Sequence, residues 1–224
     1  MKPQSSKRLF SHKQFCLSAF REYRSTALFL FLFFCIRSSF ADWSPVPTGS
    51  MIPTILEGDV ITINKAAYDI RVPFTHISLL KTNEPVRGDI VVFDSKVSDK
   101  RLVKRVIGLP GDIIAMKNNQ LIINGKPVQY EIIGDDIVEH LDEKSHSIQL
   151  FENANSTHQS FAQVKVPTDY YLMLGDSRDN SVDSRFIGLV PRKELVGRAG
   201  GVAISFDMEN FYIPRKNRLW VDLR

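Results

Sequence analysis

Leu102-Val-Lys-Arg-Val-Ile107, closed by Gly108-Leu-Pro-Gly-Asp112, decides how the chain folds. The run is short, rich in Val and Ile, and ends on Pro110-Gly111, which predicts a β-strand delivered into a turn. Alternate residues of a strand face one way, so Lys104 shares a face with Leu102 and Val106, while Val103, Arg105 and Ile107 take the other. A lysine flanked by apolar residues either snorkels from a sheet edge or is desolvated. In the second case its pKa falls from about 10.4 toward neutrality and the free amine becomes available as a general base.

Working outward, the same composition recurs in Asp59-Val-Ile-Thr-Ile-Asn64, Asp89-Ile-Val-Val-Phe93, Ile113 to Met116, Leu121-Ile-Ile123, Gln163 to Val166, Tyr170 to Leu174 and Leu195 to Phe206. Asn118-Asn119 and Asn124-Gly125 adopt positive φ cheaply and read as hairpin turns, and Arg87-Gly88 punctuates another strand boundary. The fold class is therefore mainly β. Between about Tyr130 and Ser160 the chain is polar and reads as a surface excursion. Its histidines, His140, His146 and His158, have neither a ligand spacing on a helix nor a Gly-flanked serine beside them. They read as solvated, and neither a metal site nor a histidine-based triad is expected.

With 224 residues, 43% of them hydrophobic and 24% charged, the chain can build a core without disulfide staples. Its only cysteines are Cys16 and Cys35, so a thiol nucleophile or Cys-ligated metal is excluded from everything after them. Of 29 basic and 25 acidic residues, six basic and one acidic fall in residues 1–24. The remainder is slightly acidic, which removes the main argument for nucleic acid as a partner.

That basic leader precedes the uncharged stretch Ala27 to Ile36. A helix needs about 20 residues to cross the hydrocarbon core, so an anchor would have to extend over 25–43, with Arg37 snorkelling and Trp43 at the headgroups. Residues 1–24 would then stay cytoplasmic and 44–224 would lie outside. The other reading is a cleavable signal peptide, with small residues at Ser39 and Ala41 forming a processing site.

Two further segments carry chemistry. In Pro47-Thr-Gly-Ser50-Met-Ile-Pro-Thr54, a serine after glycine, with prolines three residues to either side, sits on extended backbone that cannot continue a helix. Its hydroxyl could be presented as a nucleophile if a base stood beside it. In Gly175-Asp-Ser-Arg-Asp-Asn-Ser181-Val-Asp-Ser-Arg185, a dense polar run directly follows an apolar strand. A plain loop rarely needs so many charges, and the segment reads as a hydrogen-bonded network packed against something.

Taken together, Thr48-Gly-Ser-Met-x-Pro-Thr, Arg87-Gly-Asp-Ile-Val, Val103-Lys-Arg-Val-Ile-Gly-Leu-Pro-Gly-Asp112 and the Gly175 to Arg185 run resemble the boxes of bacterial type I signal peptidases, in order and after an apolar segment, over about residues 44–205. The resemblance implies a Ser/Lys endopeptidase that removes N-terminal signal peptides from secretory preproteins after a small-x-small motif. The expected place is the outer face of the bacterial cytoplasmic membrane, in contact with phospholipid. It also implies a retained leader helix, a membrane-anchored β-sheet, barrel-like core with a smaller inserted β-subdomain at about 113–168, and neither metal nor other cofactor. Residue by residue, Ser50 matches the nucleophile and Lys104 the general base. Ser181 matches the serine that orients the lysine, and Thr48 the hydroxyl that joins Ser50 N–H in the oxyanion hole. Asp183 and Arg185 match a supporting ion pair. Val46, Pro47, Met51, Ile55, Leu102 and Val103 match residues lining the pockets for the −1 and −3 side chains. Thr48 stands where the family usually has serine, and Ser177 where it usually has asparagine. Two rivals are another membrane Ser/Lys maturation peptidase, as in conjugation systems, and an anchored β-domain that binds exported chains without cutting them.

Overall fold

The computed structural model describes residues 23–35, 37–75, 77–151 and 159–223; His158 and the leader up to residue 22 lie outside these. Its centre is a nine-stranded sheet. The path runs Ala41–Pro45, Asp59–Asn64, Leu195–Asp207, Ile90–Ser95, Lys100–Gly108, Tyr170–Leu174 and Val190–Pro191, every neighbour antiparallel. Two short strands, Ile213–Pro214 and Val221–Asp222, add to Leu195–Asp207.

Strand alternation sorts the core. Ile61, Ile63, Ile90 and Val92 join Val46, Met51 and Ile55 in one cluster. Val91, Phe93 and Val106 join Tyr171 and Met173 in a second. Val91 is the register partner of Lys104 and Val92 that of Val103, so the predicted faces of this strand are the observed ones. Ile107 belongs to a third cluster, with Ile114, Met116, Leu121 and Leu141.

That third cluster underlies the strands between Lys100–Gly108 and Tyr170–Leu174, which pair among themselves. One sheet orders Phe161–Lys165, Ile113–Lys117, Gln120–Ile123 and Lys126–Pro127; another orders Gln129–Ile133, Asp136–Leu141 and Lys144–Ile148. Asn118, Asn119, Asn124 and Gly125 have φ of 50°, 62°, 52° and 78°, the left-handed geometry that two-residue hairpin turns require. The described part of the polar excursion, up to Ile148, is thus folded into strands. Arg87 ties it to the main sheet by ion pairs to Asp112 at 3.1 Å and Asp142 at 2.8 Å.

The N-terminal boundary differs from expectation. Residues 23–35 and 37–39 are helical, but Ala41, Asp42 and Trp43 pair with Asn64, Ile63 and Thr62. The expected span 25–43 therefore ends in the sheet. The cause is polar: the Asp42 carboxylate is held by Arg37 at 3.2 Å and Lys65 at 3.0 Å. Arg37 also stacks 3.8 Å over the Trp43 ring. Among the described residues, no helix is long and apolar enough to cross a membrane.

Candidate active site

Ser50 sits in tight turns between the first two main-sheet strands. Ile52 N–H donates to Gly49 O at 3.1 Å and Ile55 N–H to Met51 O at 2.9 Å. Met51 and Ile55, 1% and 0% exposed, fasten the turns to the core. Arg218 closes the far side, bonding Thr54 O at 3.1 Å and the buried Asp59 carboxylate at 2.6 Å. The hydroxyl of Ser50 is left half-exposed on a loop held at both ends.

Lys104 is 2% exposed. Its Nζ donates to Ser50 Oγ at 2.6 Å and to Val103 O at 3.0 Å. Burial drives its pKa down to about 8, against the raising influence of the Asp183 and Asp176 carboxylates. A hydroxyl and an amine thus stand in hydrogen-bond contact, with the amine's charge disfavoured, the geometry that an activated nucleophile needs.

Thr48 is exposed two residues upstream. Among the described residues, neither its hydroxyl nor Ser50 N–H has a protein hydrogen-bond acceptor. Asp183 and Arg185 pair at 2.8 Å. The Asp183 carboxylate also caps the helix Ser184–Ile187 and accepts Gly175 N–H at 3.0 Å. The structure therefore uses this pair to hold the start of the Gly175 loop.

Three expectations need correction. Ser181 Oγ is buried but makes no hydrogen bond among the described residues, so the bond to Lys104 is absent. Ser181 is instead pressed against Gly175, where a Cβ would lie 2.2 Å from Ser181 Oγ and 2.4 Å from Ser50 O. The apolar set is also divided. Val46, Met51 and Ile55 share a cluster with Val103 at its side, whereas Leu102 packs into the other cluster and Pro47 is exposed. Alternation within one strand sends Leu102 and Val103 to opposite faces. Finally, His146 is not solvated. It is 8% exposed, and burial lowers its pKa to about 4, helped by the positive charge of Arg105.

Sequence reasoning assigned no role to the residues that brace the site. Asp176 is 1% exposed and accepts Arg105 Nε at 2.8 Å, Arg105 Nη2 at 2.7 Å and Thr54 Oγ1 at 2.5 Å. Burial alone would raise its carboxyl pKa, but Arg105 beside it leaves the net direction downward. Ser177 N–H donates to Ser50 O at 3.2 Å. The signal available in sequence was the polar run itself, directly after an apolar strand.

The chain is similar in sequence to known proteins. The family described as Signal peptidase, peptidase S26, matches residues 20–204. The chain is 33% identical to Signal peptidase I of Pseudomonas aeruginosa, over 86% of this chain and 75% of that protein. It is 32% identical to Signal peptidase I of Buchnera aphidicola from Schizaphis graminum, over 89% and 80%. A second Buchnera aphidicola Signal peptidase I, from Acyrthosiphon pisum, is 33% identical over 78% and 71%. With a match that spans both Ser50 and Lys104 and most of the β-structure around them, the chain belongs to the signal peptidase family of peptidases, S26.

Proposed function

We propose that this chain is a serine endopeptidase that removes signal peptides from secretory preproteins, with Ser50 as nucleophile and Lys104 as general base. The observation that carries the assignment is the 2.6 Å contact between Ser50 Oγ and a Lys104 amine whose pKa burial brings down to about 8. Once neutral, the amine accepts the Ser50 proton across that contact as Oγ attacks the carbonyl of the −1 residue. The carbonyl oxygen becomes an oxyanion facing Ser50 N–H and the Thr48 hydroxyl, two donors that no acceptor among the described residues engages. Lys104 then returns the proton to the leaving amine. A water that loses its proton to the same lysine attacks the acyl carbonyl, and Lys104 passes that proton to Ser50 Oγ as it leaves, releasing the acid and restoring the hydroxyl and the neutral amine. This is the serine–lysine variant of triad logic.

Val46, Met51 and Val103, with Pro47 at the margin and Ile55 beneath, form the apolar lining expected for small −1 and −3 side chains; Leu102, on the opposite face of its strand, is not part of it. The single membrane anchor expected over 25–43 has its apolar core at 27–36 and stops short of the strand that starts at Ala41, with the leader inside and residues 44–224 outside, so that Ser50 meets precursors at the phospholipid surface. Exposed Phe29, Phe31, Phe40 and Trp43 support this placement. The test is cleavage of a synthetic precursor by the detergent-solubilised chain against Ser50→Ala. The variant should stay folded by circular dichroism and lose all turnover; turnover above a blank in the purified variant would refute the assignment.

A further inference from the structure

The strands Gln129–Ile133, Asp136–Leu141 and Lys144–Ile148 carry a buried charge that reaches toward the nucleophile. Glu139 is 0% exposed in mid-strand. It accepts Tyr130 Oη at 2.6 Å and Arg178 Nη2 at 2.5 Å. Arg178 is 1% exposed, and its Nε and Nη1 have no hydrogen-bond partner among the described residues. Glu139 is thus the one carboxylate in ion-pair contact with Arg178 there. Burial would raise the Glu139 carboxyl pKa, but the Arg178 charge leaves it lowered, so both groups are charged.

Arg178 belongs to the loop that holds Ser50. Arg178 N–H donates to Gln149 O at 3.0 Å and Gln149 N–H to Asp176 O at 2.9 Å, just past the last strand of the three. Ser177 Oγ adds a bond to Gln149 Oε1 at 3.2 Å. On its other side the loop gives Ser177 N–H to Ser50 O at 3.2 Å and the Asp176 carboxylate to Thr54. The residues between Asp176 and Arg178 are therefore stitched to the three-stranded sheet on one side and to the nucleophile turn on the other. His146, 3.4 Å from Glu139 and 3.8 Å from Asp176, fills the space between the two carboxylates.

From this chain of contacts we propose that the three-stranded sheet is a positioning element for Ser50, acting through the Glu139–Arg178 pair and the Ser177 backbone. The proposal rests on Ser50 being the nucleophile. A guanidinium fixed by a carboxylate sets direction as well as volume. Apolar side chains in the same space would restore packing without restoring direction. Breaking a buried pair by removing one partner destabilises a protein, whereas replacing both by apolar residues of similar size is often neutral or stabilising. That difference separates positioning from mere support.

The experiment compares wild type, Glu139→Leu, Arg178→Met and the double variant for Tm, kcat and KM on a synthetic precursor, with Ser50→Ala as the blank. The double variant should recover a Tm that the single variants lose. Its kcat should remain depressed by about 10²-fold, the scale of a misplacement near 1 Å, with KM within about threefold of wild type. Recovery of kcat together with Tm would overturn the proposal and leave the pair a structural support. Tyr130→Phe, which removes the bond to Glu139 together with those to Leu121 N–H and Asn119 O, gives a second reading should the double variant not fold. It should lower kcat about threefold, with a small Tm loss of its own because Leu121 N–H loses its acceptor, and an unchanged kcat would likewise overturn the proposal. A wild type that fails to cleave would instead count against the peptidase assignment itself, which keeps the two failures apart.

Discussion

Moving the Lys104 ammonium from water to its place beside Ser50 is unfavourable, and the free energy involved can be read in two ways. As chemistry, it fixes the pH dependence. In the proposed mechanism the neutral amine is the working form, so the cleavage rate should rise with pH through about 8 and level off above it. A rate still climbing steeply at pH 10 would mean that the amine is not desolvated. Lys104→Arg keeps a charge that cannot be lost and should be as inactive as Lys104→Met; partial activity in the arginine variant alone would make the lysine an ion-pairing group. As stability, the sign is opposite to that of most ionic groups. The lysine pKa is lower in the folded chain than in the unfolded one, so its penalty is full below about pH 8 and fades as pH rises toward 10.5. The methionine variant should therefore be the more stable protein at pH 7, with an advantage that shrinks in alkaline urea titrations.

At the scale of elements, the site is made where the loop after Tyr170–Leu174 meets the turns around Ser50, and Gly175 is the point of closest approach. A Cβ there would lie 2.4 Å from the Ser50 carbonyl oxygen and 2.2 Å from Ser181 Oγ. Gly175→Ala should push the Ser50 turn away from Lys104 and lower kcat by about 10²-fold, while the sheets keep their circular dichroism; unchanged kinetics would show that the loop yields freely. Much of this was legible from local pattern. The alternation of Leu102 to Ile107 puts Val103 and Lys104 on opposite faces, and Asn124-Gly125 announces its turn, because both depend on neighbours in sequence. The burial of His146 was not legible. Glu139 faces it across a hairpin, but Arg105, Asp176 and Arg178 come from strands and loops far off in the chain, and a polar residue buried by such contacts has the same composition signal as one left in water. Trp43 fails for the same reason. Its place in the sheet depends on Thr62, and nothing in the local apolar pattern points to that partner.

Across the whole molecule, the polar network joins the inserted strands to the main sheet, and acid should act on the two together. Burial lowers the His146 pKa from 6.5 to about 4, so the unfolded chain takes up its proton first as pH falls. Stability should decline between pH 6.5 and 4 by about 3 kcal/mol from this group. The lowered carboxyls of Glu139 and Asp176 extend the loss below their ordinary values. Urea titrations of wild type and His146→Phe would check this: the variant should lose little over that interval, and parallel curves would assign the loss elsewhere. The strand Leu195–Asp207 has a further consequence, for the birth of the protein. It lies between Asp59–Asn64 and Ile90–Ser95, so strands made early have no common neighbour until residues near the end of the chain exist. Long-range pairing of this kind is slow, and a growing chain cannot complete it. The Gly175 loop that seats against Ser50 is also a late arrival. A nascent chain would therefore carry its serine and its lysine long before it could use them, and hydrolytic competence would appear only after synthesis had passed the last long strand.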